Sequence, residues 1–363
     1  MPTILKCHSV PALTLALMLA SSLAQANQET QSNCAESPPG ITKLVRHPAL
    51  YNFYFENDLF YGTDSDYTNG VKFSWVSANL KDYTHDPCLP HWVRQLNQFF
   101  GTVHPGGYTS RNMVVTAGQS MFTPRDKTRA DLIRNDRPYA GWLYLGLGYN
   151  ARNTRQMDTA EFNLGIVGPA AFARQSQNFI HDIRGLPRLN GWGNQLKNEP
   201  GIQIVAERKK KFWESTGHTN PKLDAITHYG LSLGNVATYL NTGLEMRIGN
   251  RLPNDFGTSP IRPAGDSNAP LEGPVTHRFS DGGLHAFISA DARLVARDIF
   301  LDGNTFTDSH SIAKKRFVGD IAAGVAWQWQ GGKITYAHYL RSREFEGQDA
   351  AHNYGSVTLS FEN

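Results

Sequence analysis

Strict alternation of apolar and polar residues recurs along nearly the whole chain, and it constrains the fold more than any other feature. In "GWLYLGLGYN", Leu143, Leu145, Leu147 and Tyr149 alternate with Trp142, Tyr144, Gly146 and Gly148. In "AEFNLGIVG", Phe162, Leu164 and Ile166 share one face, and Glu161, Asn163 and Gly165 share the other. "DIAAGVAWQWQ" sets Ile321, Ala323, Val325, Trp327 and Trp329 against Asp320, Ala322, Gly324 and Gln328. A period of two marks β-strands, because successive side chains point to opposite faces. About twelve such runs can be counted. They lie near 49–58, 67–79, 111–122, 140–151, 159–167, 201–213, 226–235, 239–249, 283–297, 316–329, 332–344 and 353–361. A soluble sandwich would turn the apolar faces into a core, whereas a membrane barrel would turn them to lipid and keep polar groups in its lumen.

Three features choose the barrel. First, the chain begins with Lys6, an apolar run from Val10 to Ala20, and Ala24-Gln25-Ala26. That is the layout of a secretory signal peptide over residues 1–26. Its apolar core is too short to span a bilayer, which takes roughly 20 residues, and every later apolar run is interrupted by polar groups. Second, the closing "YGSVTLSFEN" sets Val357, Leu359 and Phe361 against Ser356, Thr358 and Ser360. It resembles the terminal strand of bacterial outer-membrane proteins, with Phe361 two residues short of the end. Third, Tyr51, Trp75, Tyr144, Tyr149, Trp327 and Trp329 sit near strand ends, as an interfacial girdle requires. The expected fold is all-β: a transmembrane antiparallel β-barrel of about twelve strands, with a short helix in an extracellular loop. It occupies 49–363, follows a polar lead-in at 27–48, and belongs in the bacterial outer membrane. A net charge of +3 gives no basic field, which excludes nucleic acid as a partner. After processing, Cys34 and Cys88 remain, and an oxidising compartment permits them to pair without requiring it.

An even strand count puts both termini in the periplasm. Connections near 59–66, 123–139 and 168–200 then lie outside the cell, and the short turns "RNTRQMD" and "GG" lie inside. Two long insertions, near 80–110 and 250–282, fall on the periplasmic side and break the usual pattern of short inner turns. The three outward loops hold the unusual residue clusters: "FENDLFYGTDSDYTNGVKFSW", "NDRPYAG" and "QSQNFIHDIRGLPRLNGWGNQL". Asn57-Asp58, Asp64, Asp66 and the "TNG" at Thr68–Gly70 also read as ordinary turn formers. Arg137 suits an ion pair with an aspartate at the rim, and the run Arg208–Lys211 suits a solvated strand end on the periplasmic side.

The motifs "ENDLFYGTDSDYTNG" and "NDRPYAGWLYLG", with the His181 segment and "NGWGNQLKNEPG", resemble the outer-membrane lipid A 3′-O-deacylases over most of the mature chain. The resemblance implies a twelve-stranded membrane barrel that hydrolyses, with calcium, the ester attaching an acyloxyacyl chain to lipid A. Carried over residue by residue, the catalytic positions are Asn57, Asp58, Thr68 and His181. A family lysine of the second outward loop falls near Lys127 and Arg129, and a family carboxylate after the histidine falls near Pro187. The residue chemistry agrees. Asp58 is the charged ligand for a hard cation. Asn57 can donate to an oxyanion, His181 can act as general base near neutral pH, and Thr68 can orient a water or a ligand. No G-x-S-x-G elbow argues for a serine nucleophile. The partners so implied are lipid A or lipopolysaccharide and the membrane, with no protein partner. A barrel without chemistry, used for adhesion, transport or support, is the alternative.

Overall fold

A computed structural model describes residues 49–58, 66–80, 82–86, 89–99, 107–216, 220–258, 282–329 and 331–362. The proposed signal peptide and lead-in, Cys34, Cys88 and Asp64 lie outside the described residues. Six strands make the first half: β1 (Leu50–Asn57), β2 (Asp66–Val76), β3 (Ser110–Thr123), β4 (Ala140–Arg152), β5 (Gln156–Val167) and β6 (Glu199–Glu214). Six more complete it: β7 (Lys222–Gly234), β8 (Ala237–Gly249), β9 (Gly283–Asp298), β10 (Phe317–Trp329), β11 (Gly332–Arg341) and β12 (His352–Glu362). Every strand pairs antiparallel with its sequence neighbour, and β1 pairs with β12, so the sheet closes on itself. Closure removes the two edges whose unpaired N–H and C=O groups would otherwise be costly in lipid.

The period-two faces sort as a barrel requires. Leu145, Phe162, Leu164, Ile321 and Val325 are exposed on the outside, where lipid is their solvent. Opposite faces point inward and are buried, among them Asn52, Glu161 and Asp320. Tyr51, Trp75, Trp327 and Trp329 lie at the periplasmic end: Tyr51 pairs with Trp75, and the two tryptophan rings are 5.0 Å apart. Tyr144 departs from the expected girdle. It shares the lumen face of β4 with Trp142, stacks on that ring at 4.2 Å, and is buried.

The lumen is filled. Its outer half is aromatic: Phe300, in the short helix that follows β9 (Ile299–Asp302), stacks on Phe122 at 4.1 Å, and Tyr339 stacks on Tyr354 at 4.9 Å. Its periplasmic half is ionic. Arg247 bonds Asp224 at 2.8 Å through Nε and also pairs with Asp255, which Lys333 reaches at 2.8 Å. Asp255 belongs to the start of the 250–282 insertion, so the described part of that insertion folds back into the barrel mouth. The run Arg208–Lys211 lies at this end, as parity requires, but Lys209 is buried rather than solvated. Arg208 chelates Asp158, with contacts of 2.6 and 2.7 Å.

The other insertion forms α1 (His91–Phe99). Val93 packs with Leu80, Tyr83, Leu89 and Met113 against Leu147 and Tyr149, on the outside of β3 and β4 near the periplasmic end. Asn97 accepts from the Tyr149 hydroxyl at 2.7 Å, which fixes the helix to the wall.

Candidate active site

The site begins with a row of residues that cross-strand register places on one face. Asn57 on β1 lies opposite Asn69 on β2, Asn69 opposite Met121 on β3, and Met121 opposite Gly141 on β4. Directly opposed residues share a face. That face is the outer one, since Phe53 and Phe55 share it with Asn57, and Leu143 and Leu145 share it with Gly141. Yet Asn57, Asn69 and Met121 are only 4, 2 and 1 % exposed, whereas Leu145 further down the wall is 54 % exposed. Something covers the wall at its outer end.

Over β3 and β4 the cover is α2 (Ala173–Arg184), which carries His181. Its buried residues are Ala173, Gln177 and His181, spaced four apart on one helical face. Gly141 has no side chain because a β-carbon there would collide with Ala173. Gln119 donates to the Ala171 carbonyl at 2.6 Å, just before the helix, and Gln177 accepts from the Trp192 indole at 2.8 Å. Loop three is also latched to loop two. Asn190 donates to the carbonyls of Lys127 and Thr128 at 3.2 and 3.1 Å, and Asn194 donates to Ala130 at 2.9 Å. The "NGWGNQL" motif thus holds the cover in place.

The end of α2 prepares the histidine. Gly185 takes a left-handed conformation (φ 68°), Leu186 N–H bonds the His181 carbonyl at 2.9 Å, and Gly185 N–H bonds Asp182 at 3.3 Å. This Schellman turn reverses the chain, so that the Pro187 carbonyl lies 2.6 Å from His181 Nδ1. A carbonyl only accepts, so Nδ1 carries the proton and the neutral ring keeps its lone pair on Nε2. Asp182 and Arg188 clamp the same turn with contacts of 2.9 and 2.6 Å. Hydrogen bonds from Arg188 hold the Asp182 carboxyl below the usual carboxylate range.

Thr68 is the extra residue of a β-bulge, since Tyr67 pairs with Phe122 and Asn69 with the adjacent Met121. Its hydroxyl lies 2.6 Å from that of Thr123. Tyr67 faces the lumen, where its ring meets Tyr354 at 5.6 Å, so Thr68 and Asn69 both fall to the outer face. Asp58, directly after Asn57, is fully buried. Asn57, Asp58 and Thr68 therefore come together at one rim, and His181 lies on the helix packed over the same end of the wall.

Asn69 joins the group without having been singled out. It is buried, and neither amide atom has a hydrogen-bond partner. Its place in a "TNG" reads as a turn; the signal for its role was the aspartate-rich stretch before it. Of the two loop-two cations, Arg129 is exposed and paired with Asp131, whereas Lys127 is half-buried where loop two meets loop three. Arg137 pairs with Glu344 at 3.2 Å, not with an aspartate, and lies over the Phe122 ring at 4.8 Å. His228 pairs with Asp291 in the lumen at 2.7 Å. Among the described residues no three His, Cys, Asp or Glu side chains come together as a metal cluster.

A closed twelve-stranded barrel with an apolar outer belt and a filled lumen has the build of an outer-membrane protein. The family model for outer membrane protein LpxR matches residues 12–363, and the chain belongs to that family. Its fold is similar to LpxR from Salmonella typhimurium, with a TM-score of 0.64 at 16 % identity, covering 87 % of this chain and 100 % of that one. The translocator domain of the autotransporter NalP from Neisseria meningitidis gives 0.36 at 10 % identity, covering 95 % and 98 %. No curated protein sequence matches the chain.

Proposed function

We propose that the protein is a calcium-dependent lipid A deacylase, which cleaves the ester holding an acyloxyacyl chain at the 3′ position. The observation that carries this reading is a polar patch: the buried row Asn57–Asn69 with Thr68 on the outer face of the wall, with buried Asp58 directly after Asn57 at the same rim, at the end where the His181 helix packs on β3 and β4. The buried Asn69 amide without a hydrogen bond costs roughly 1–3 kcal/mol, and such a group persists where it has a use. Family membership and the motif resemblance point to the same use.

In this reading His181 Nε2 takes a proton from a water molecule, whose oxygen attacks the ester carbonyl. The tetrahedral intermediate collapses as the bond from the carbonyl carbon to the sugar oxygen breaks. The imidazolium returns its proton to that oxygen, leaving a free fatty acid and a sugar hydroxyl. The Asn57 amide donates to the developing oxyanion. Thr68, tied to Thr123, orients the water. The donor set suits calcium: one carboxylate, amide oxygens and backbone carbonyls are all hard ligands. Asp58 and Asn69 would hold the ion, and the open amide of Asn69 fits that role. Bound there, calcium supplies a Lewis-acid charge beside the carbonyl oxygen.

Mass spectrometry of lipid A from cells carrying the protein or its His181→Gln variant tests the reading. Loss of the 3′-linked chain with the parent alone supports it; the same loss with the variant removes His181 from the chemistry. Among the described residues, a lumen cavity of about 30 Å³ lies between Lys209, His228, Glu245, Phe256, Asp291 and Tyr339.

A further inference from the structure

Helix α2 presents three distinct stripes. Ala173, Gln177 and His181 are buried on the barrel. Arg174 and Asp182, exposed on either side of half-buried Asn178, form a polar stripe on one side of that face. Phe179 and Ile183, 51 and 70 % exposed, form an apolar stripe on the other side, continued by Phe172 ahead of the helix. Phe172 adopts a left-handed backbone (φ 57°), unusual for a bulky residue. A helix in water gains nothing by displaying two phenylalanines and an isoleucine. A helix lying in a membrane interface needs one polar side, one apolar side and, here, one side for the wall.

The height of the helix on the barrel fits this. Gly141 lies under α2, and Tyr149, on the same outer face of β4, lies under α1. At about 3.3 Å per residue these positions are about 26 Å apart along the strand, or about 20 Å along the membrane normal at the usual barrel tilt. The apolar band of such barrels is about 25 Å tall. The two helices therefore bracket the hydrocarbon zone, and Leu145, exposed between them, belongs to it. α1 repeats the arrangement at the inner boundary, with Val93 buried on the wall and Trp92 exposed at 67 %. On the wall, Leu145, Leu164 and Ile202 pair across β4, β5 and β6 as an exposed apolar belt.

We propose that α2 is an interfacial helix whose Phe172–Phe179–Ile183 stripe sits in the acyl chains of the outer leaflet, so that a lipid substrate reaches the patch sideways from the bilayer. The sideways route rests on the deacylase reading; the seating of the helix does not. The test uses the full-length barrel in proteoliposomes of phosphatidylethanolamine and phosphatidylglycerol. Cys34 and Cys88 are replaced by serine, and a nitroxide is attached in turn to Phe179→Cys, Ile183→Cys and Arg174→Cys. At 179 and 183 the label should relax strongly with oxygen and weakly with a water-soluble nickel chelate; at 174 the order should reverse. Equal, water-like accessibility at all three positions would overturn the proposal. So would spin–spin broadening at 183, which would put a second copy of the chain against the stripe. For the sideways route, Phe179→Ser/Ile183→Ser should lose at least about tenfold of its activity on membrane-embedded lipopolysaccharide while keeping activity on a detergent-dispersed short-chain ester. Equal loss on both substrates would overturn the route and leave the helix seating to the spin labels.

Discussion

His181 Nδ1 and the Pro187 carbonyl oxygen are 2.6 Å apart, so a backbone atom orients the candidate base. A family carboxylate falls near Pro187, and this chain has a peptide carbonyl there instead. An uncharged acceptor at this place fixes the tautomer of the ring. His181→Gln should lower the rate of deacylation by about 10²–10⁴-fold, the usual range for a general base. Its barrel should keep the heat-modifiable migration of the parent on gels.

The turn that delivers Pro187 depends on Gly185, whose left-handed backbone costs another residue roughly 1–2 kcal/mol. Gly185→Val should therefore reduce turnover about tenfold or more, with little change in KM. Gly185→Asn, which tolerates that conformation, should recover most of the rate. Steady-state kinetics on purified lipid A separates the two parameters.

A chelator should abolish activity, and calcium should restore it. Asn69→Ala should raise the calcium concentration needed for half-maximal rate, while Asn69→Asp should lower it by adding charge. Titration of activity against free calcium checks both. Identical curves for the parent and both variants would remove Asn69 from the ion site.

Arg137 and Glu344 form a buried pair on the lumen side. Breaking such a pair by removing one partner typically costs about 3–5 kcal/mol, so Glu344→Ala should lower thermal stability markedly, as followed by circular dichroism. Burial pushes the Glu344 carboxyl up, but Arg341 and Arg137 together bring it below its usual value. A depressed native pKa means stability that is present above the ordinary carboxylate range and lost as pH falls through the native value. The Tm of the parent should thus fall on acidification below that range, and Glu344→Gln should flatten the dependence.

The barrel was legible because each strand repeats one rule, and a repeated rule tolerates local error. Which face of a strand meets lipid is less legible: Tyr144 alternates correctly but points into the lumen beside Trp142. α1 was hidden inside a periplasmic insertion, although Trp92 with Leu96 and Val93 with Asn97 carry helical spacing. Asn57, Asp58, Thr68 and His181 stand out as residue types within motifs, and the structure buries all four. Asn69 passed for a turn residue, and the Pro187 carbonyl is a main-chain atom with no signature in any side chain. The cover over the patch is a tertiary fact, made by Gly141 admitting Ala173 and by Trp192 reaching Gln177.

An uninterrupted strand would give the two sides of the wall alternate residues, so no two neighbours could serve the same side. The irregularity at Thr68 breaks that rationing and hands Thr68 and Asn69 together to one place. The crowding thus depends on chain length as much as on residue identity. Shortening the stretch between Tyr67 and Gly70 by a single residue would leave every remaining amino acid intact, and would still cost the wall one of its two adjacent polar groups.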